Sequence, residues 1–310
     1  MEIKVNFKKV SQEFEVPNNA MNVSLDKNFI KLRGEIEYTR TFIGDYCFLQ
    51  LERNFIISLT PFETTCNVND ILISAEQTLE SIVSCCSLGN FSDAYVLLRK
   101  YRDDLFFHLY ILLASHENGK NFQSWLDSGS KDGSDLSELR KNNKQTENIK
   151  KWLSDKLENL HISDVLKCIA TSQELSEAVH KYNLKTSFDN IGKKLNDFVH
   201  ANGVSYYNKP YSRYRDSELE KLCNNFQESL DYITVTFLFL SSLCNPLSIM
   251  SSDYIDAFDF GETTPENSSY WVAPFVQDYF QQKIKFLDQN GLKYLQDKTG
   301  MQIMKTCEKL

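Results

Sequence analysis

Two short stretches of this chain carry the residue types that acid–base and phosphate chemistry use. The first is Arg99-Lys100-Tyr101-Arg102-Asp103-Asp104-Leu105-Phe106-Phe107-His108. Arg99 and Asp103 are four residues apart, so on a helix they share a face and can form an ion pair. Asp104 and His108 have the same spacing, which lets a carboxylate orient an imidazole, as it does for catalytic and metal-bound histidines. The structural reading, a buried polar group that sets helix register, is the one the sequence favours. The second stretch is Lys193-Lys194-Leu195-Asn196-Asp197-Phe198-Val199-His200-Ala201-Asn202-Gly203. Here Asn196 and His200 share a face, and His200 stands where a helix should end. A histidine there gains from the helix dipole in its charged form, or it simply satisfies the terminal carbonyls.

Charge is unevenly distributed around the second stretch. Residues 180–215 hold seven Lys or Arg against two Asp, in a chain whose formal net charge is −8. Aromatic residues interleave with the bases. Basic side chains neutralise phosphates and rings stack on unpaired bases, so Lys193, Lys194, Lys209, Arg213, Arg215, Tyr207 and Tyr211 form a candidate nucleic-acid surface. The bland alternative is a solvated helix face followed by a loop packed with tyrosines. Asp253, Asp256 and Asp259 repeat every third residue and could gather oxygen ligands for Mg²⁺ or Ca²⁺; an ordinary acidic helix face explains them as well. No Gly-rich phosphate loop, G-x-S-x-G elbow or H-E-x-x-H occurs. The residue pattern points to no metal and no cofactor.

The elements that must position these residues are helical. With 310 residues, 42% hydrophobic and 25% charged, the chain has ample material for a core, which excludes the disordered class. Its acidic balance argues against a protein coated with nucleic acid but leaves room for a local basic site. The eight cysteines lack C-x2-C spacing and sit among apolar residues, so they are read as reduced thiols of a cytoplasmic protein. The first residues lack the apolar core of a signal peptide. Residues 232–252 carry no charge, yet Thr, Ser, Asn and Pro within them favour a buried helix over a membrane span.

Residues 2–7 and 13–16 could pair as a small ribbon, giving an extended appendage over 1–34. Residues 35–310 then form one helical domain with a polar loop near 127–144. Within it the pattern predicts helices over 36–59, 70–86, 93–115, 145–160, 163–169, 173–182, 187–200, 216–244, 252–259 and 274–289. Asn69, Ser92 and Ser252 are the expected caps. The stretch 105–114 is apolar nearly all round and should run through the middle of the core.

Two stretches resemble a known family. Gly89-Asn90-Phe91-Ser92-Asp93-Ala94-Tyr95-Val96-Leu97-Leu98-Arg99 through Asp103, followed by an apolar helix, is similar to a helix of several bacterial HEPN-like families. Leu195-Asn196-Asp197-Phe198-Val199-His200-Ala201-Asn202-Gly203 resembles their later helix. The resemblance implies an all-α bundle of HEPN-like type and an RNA-directed protein. Many such proteins are dimeric, metal-independent endoribonucleases of toxin–antitoxin and anti-phage systems. On that reading His200 is the general base or acid, Asn196 orients it, and Arg99 or Arg102 stabilises phosphate charge. Arg102 and His108 also fit the family's Arg–spacer–His signature, although on the early helix. In the late stretch Lys193 or Lys194 stands where the family has Arg, and Lys lacks the planar fork that grips phosphate. The alternative is therefore a non-catalytic helical scaffold, a homodimer or a subunit of a defence complex.

Overall fold

The computed structural model describes residues 23–52, 57–58, 65–66, 68–127, 144–154, 156, 160–199, 216–262, 272–283 and 289–301. The 2–7 and 13–16 ribbon, the polar loop over 128–143 and the tyrosine-rich loop lie outside these residues. What is described is all-α, with eleven α-helices. They are α1 (Lys27–Glu52), α2 (Asn69–Ser87), α3 (Phe91–Asp127), α4 (Lys144–Leu153), α5 (Ile162–Thr171), α6 (Ser176–Lys181), α7 (Leu184–Asn196), α8 (Asp216–Cys244), α9 (Ser252–Asp259), α10 (Pro274–Lys283) and α11 (Gln289–Thr299). The extended structure consists of a two-residue antiparallel pairing of Ile57–Ser58 with Thr65–Cys66 and one bridge between Met250 and Val272.

Helix α1 corrects the expected boundary at residue 34, which falls inside it. The chain turns helical at Asp26, whose carboxylate accepts from the backbone N–H of Asn28 (2.7 Å) and Phe29 (3.2 Å) and so satisfies two of the orphan donors of the first turn. Phe29, Leu32 and Ile36 then fall on one face and are buried. Gly34, inside the helix, points into open space, where a helix tolerates it at modest cost.

Helix α3 is the axis, and it is longer than periodicity implied. It starts two residues before Asp93 and runs twelve beyond Ser115, a length of about 55 Å. Its start is set by the turn from α2. Gly89 adopts φ +76°, and the backbone N–H groups of Gly89 and Asn90 return to Cys86 and Cys85, a left-handed helix stop. Asn90, not Ser92, caps α3: its side-chain oxygen accepts from the backbone of Asp93 at 3.5 Å, and its amide meets the Asp93 carboxylate. Every residue from Tyr101 to Ala114 is buried except Asp103, Asp104 and Phe107, as expected of a helix enclosed on all sides. Helices α2, α5, α7 and α8 pack around it.

Helix α8 follows the expected bounds. Its second half is buried together with Thr234, Thr236, Ser241 and Ser242. Thr234 and Ser242 donate back to the carbonyls of Leu230 and Leu238, the way hydroxyls survive inside a helical core. Among the described residues no helix is long and apolar enough to cross a membrane. The predicted last helix is described as far as Lys283, and α11 follows from Gln289. The predicted 145–160 helix ends at Leu153.

A buried polar network ties α1, α3, α8 and α10 together. Lys283 bridges Glu35 and Asp231, lying 3.0 Å from the latter. Thr39 and Tyr279 share a hydrogen bond (3.3 Å), as do Tyr101 and Thr234 (2.8 Å). Tyr279 stacks on Phe42 at 3.9 Å. Burial pushes the Asp231 carboxyl up and Lys283 pulls it back. Removing one partner of such a pair strands the other charge. Lys283→Met is therefore expected to cost about 3–5 kcal/mol of unfolding free energy, read from urea titration. Adding Asp231→Leu to it should recover most of the loss, because no buried carboxylate then lacks a partner on α10.

Candidate functional site

Helices α3 and α7 run antiparallel against each other along one seam. Three contacts define its register. Tyr95 stacks on Phe198, with centroids 4.2 Å apart and planes at 11°. The guanidinium of Arg102 rests beside Gly192, where a Cβ would stand 3.6 Å from Nη1. Phe106 meets Phe188 edge-on at 5.0 Å. Positions 95, 99, 102 and 106 share a face of α3, and 188, 192 and 195 share a face of α7. The same register carries Arg99 past Leu195 and Asn196. The seam thus sets the face of α3 that carries Arg99 and Arg102 against the helix that ends at Asn196. The Asn196 Oδ1 is buried without a hydrogen-bond partner among the described residues.

The electrostatics of the seam centre on Asp103. One of its oxygens accepts from both Nε (2.8 Å) and Nη2 (2.6 Å) of Arg102. Arg99 Nε approaches the other oxygen at 3.9 Å, which realises the expected four-residue pair. Burial pushes the Asp103 carboxyl above its ordinary value, against the downward pull of Arg102 and Arg99. The two arginines differ in access. The Arg102 side chain is 5% exposed and is committed to Asp103, whereas Arg99 keeps 28% of its side chain open to solvent.

His108 does not join them. It faces α8, edge-on to Phe237 at 5.8 Å, and is 2% exposed. Its Nδ1 has no hydrogen-bond partner among the described residues, and burial pulls its pKa down to about 4. The expected pair with Asp104 is not made. Asp104 instead accepts from Lys100 (2.6 Å) and Ser74 (3.0 Å) on the α2 side. A carboxylate keeps better company there, since moving it beside a neutral histidine in the core would cost its hydration without a compensating charge. Six positions on a helix also turn Arg102 away from His108 by about 120°, one toward α7 and the other toward α8.

Of the proposed basic surface, Lys193 is exposed and Lys194 turns inward. Lys194 Nζ donates to the Asn225 carbonyl (2.9 Å) and the Ser229 hydroxyl (2.8 Å), and it lies 5.6 Å from the Tyr95 ring centroid. His200, Tyr207, Lys209, Tyr211, Arg213 and Arg215 lie outside the described residues. So does the side chain of Asp253; Asp256 and Asp259 are exposed. Among the described residues no group of three or more His, Cys, Asp or Glu side chains could hold a metal ion.

Lys194 also lines a cleft of about 310 Å³ between α7 and α8, together with Ser187, Asn190, Ile191, Glu228, Ser229 and Tyr232. Sequence reasoning passed over it. The available signal was a polar stripe at 187, 190 and 194, matched by polar residues at 228, 229 and 232 on α8. Comparison with protein-family models, with curated proteins and with solved structures finds no match to this chain.

The state of His108 has a measurable consequence. Its folded pKa lies below its unfolded value of about 6.5, so the unfolded chain binds the extra proton between the two. The stability it contributes is complete above pH 6.5 and is lost as pH falls toward 4, by up to about 1.4 kcal/mol per pH unit for one proton. Asp103 titrates with the opposite sign, so the effect is isolated by difference. His108→Leu should gain stability relative to the wild type as pH falls through this window, in paired urea titrations. A constant difference from pH 7 to pH 4 would contradict a neutral core histidine.

Proposed function

We propose that this chain is an RNA-directed protein of HEPN-like type, acting as a metal-independent endoribonuclease in a bacterial anti-phage defence or toxin system. One observation supports the reading. Arg99 and Arg102 stand on the face of α3 that packs against α7, and α7 ends at Asn196, four residues before His200 in the sequence. In this reading His200 takes the proton of a ribose 2′-hydroxyl, the 2′-oxygen attacks the adjacent phosphorus, and the departing 5′-oxygen is protonated in return. Asn196 orients the imidazole. Arg99, the arginine with access to solvent, meets the charge that develops on the phosphate. Arg102 holds Asp103, which in turn keeps Arg99 on the seam. The working unit is a cytoplasmic homodimer or a subunit of a larger complex. Lys193, Lys209, Arg213 and Arg215, with Tyr207 and Tyr211, hold the RNA strand.

A second reading has its own observation. Arg102 is buried against Asp103, which suits a polar tie inside a scaffold better than a phosphate clamp. In that reading the protein is a non-catalytic interaction subunit of a defence complex.

The test is a nuclease assay on mixed single-stranded RNA and tRNA in EDTA. The wild type should cleave. His200→Ala should lose about 10²-fold or more of the rate, and Arg99→Ala should lose at least about tenfold, since it removes a charge-assisted hydrogen bond to phosphate. Both variants should keep the wild-type circular dichroism and melting temperature. Cleavage that survives His200→Ala, or a wild type that cleaves nothing, overturns the enzymatic reading in favour of the interaction subunit.

A further inference from the structure

The cleft between α7 and α8 uses another part of α7 from the α3 seam. Its floor holds Ser187, Lys194, Ser229 and Tyr232, which are buried or half-buried. Asn190 and Glu228 stand exposed at its rim, and Ile191 supplies an apolar wall. The cleft is shallow and largely open to solvent, and a few convergent polar groups in it are of the kind that fix the orientation of a small ligand.

Its charges are arranged unusually. An ammonium has three N–H donors. Two of those on Lys194 are taken by the Asn225 carbonyl and the Ser229 hydroxyl, and that hydroxyl donates to the same carbonyl at 2.8 Å. The third has no acceptor among the described residues. Glu228 lines the same cleft yet makes no ion pair with Lys194. One fixed positive and one separate negative group therefore face a shared space. A plain anion entering it would meet Glu228 as a like charge, and a plain cation would meet Lys194. A ligand carrying both charges satisfies both.

We propose that this cleft binds a small zwitterion of the amino-acid class. The ligand carboxylate takes the third N–H of Lys194, with the hydroxyls of Ser187 and Tyr232 beside it. Its ammonium meets Glu228 at the rim. Its side chain, short and apolar, lies along Ile191 and the Tyr232 ring. The site stands apart from the RNA reading and does not need it. Burial draws the Lys194 amine down and Glu228 pushes it back up, so a carboxylate placed against Nζ supplies the countercharge that the burial of this amine calls for.

The experiment is ligand-observed NMR on the full chain with the twenty standard L-amino acids. Each one that binds is then titrated calorimetrically beside its des-amino and decarboxylated analogues. The expected result is binding of one or a few amino acids with apolar side chains, weakened at least tenfold in either analogue. Glu228→Gln, an exposed substitution that leaves the fold alone, should weaken the amino acid at least tenfold and leave the des-amino acid unchanged. Lys194→Met should abolish both. Because Lys194 also ties α7 to α8, its melting curve is recorded alongside, and Glu228→Gln carries the test if that variant unfolds. No binding by any amino acid, or binding indifferent to Glu228→Gln, overturns the proposal. RNA cleavage is assayed on the same Glu228→Gln protein, and it should persist whichever way the binding result falls.

Discussion

Lys283 is taken out of water between Asp231 and Glu35, and the packing of four helices follows from that. Burying an ammonium and a carboxylate costs several kcal/mol per ion before their attraction is counted. The cost is met only if the partners arrive together, which demands that α10 dock against α1 and α8 in one register. The aromatic residues around the triad enforce the same register. Tyr279 stacks between Tyr38 and Phe42 of α1, and its hydroxyl meets Thr39. One turn of α8 beyond Asp231, Thr234 reaches Tyr101 of α3. A slip of a single residue would break all three polar links at once. An apolar core of the same volume would be at least as stable but would tolerate neighbouring registers more readily.

That constraint fixes α8, and α8 with α3 fixes the short helix α7. Helix α7 lies against both long helices and is held by different chemistry on each. Toward α3 it offers Phe188, Gly192 and the Tyr95–Phe198 stack, an apolar seam interrupted by the Arg102–Asp103–Arg99 cluster. Toward α8 it is held by Lys194, whose amine closes on a backbone carbonyl and a hydroxyl. The partial exposure of Arg99 follows from this arrangement. Arg102 is one turn deeper along the seam and takes the Asp103 oxygen with two donors, which leaves Arg99 with the long contact and the open side.

The long helices were legible in the sequence because period and capping agreed. The bounds of α8 and α9 could be read directly from Asp216, Asn245-Pro246 and Ser252. The start of α1 was missed because the first 34 residues read as an extended appendage, although Asp26 followed by Phe29 and Leu32 carried a complete start signal. The length of α3 was missed because its last twelve residues lack a continuous apolar stripe; they are half-exposed and are held by contacts such as Asn118 with Thr146 and Lys120 with Glu174. Those partners are distant in sequence and no local pattern reports them. For the site, four-residue spacing found the Arg99–Asp103 pair but misled for Asp104 and His108. Spacing says which residues share a face and is silent on what that face packs against. The cleft was not legible, since it arises only where the polar stripes of α7 and α8 meet.

His108 shows how burial decides on a candidate that sequence spacing leaves open. An acid–base group must exchange its proton with substrate near the working pH, so its charged form has to be affordable where it sits. His108 fails that condition. It lies buried against Phe237, and its pKa near 4 leaves it neutral across the physiological range. Its spacing from Arg102 matches a catalytic signature, but the helix turns the pair toward different neighbours. The late stretch differs in kind. Asn196 ends α7, and the backbone turns that follow lead the chain off the helix at Val199. In the sequence His200 follows that turn, and of the two arginines on the seam Arg99 is the one that solvent reaches. In the proposed reading the proton-transfer role therefore falls to the late stretch and not to His108.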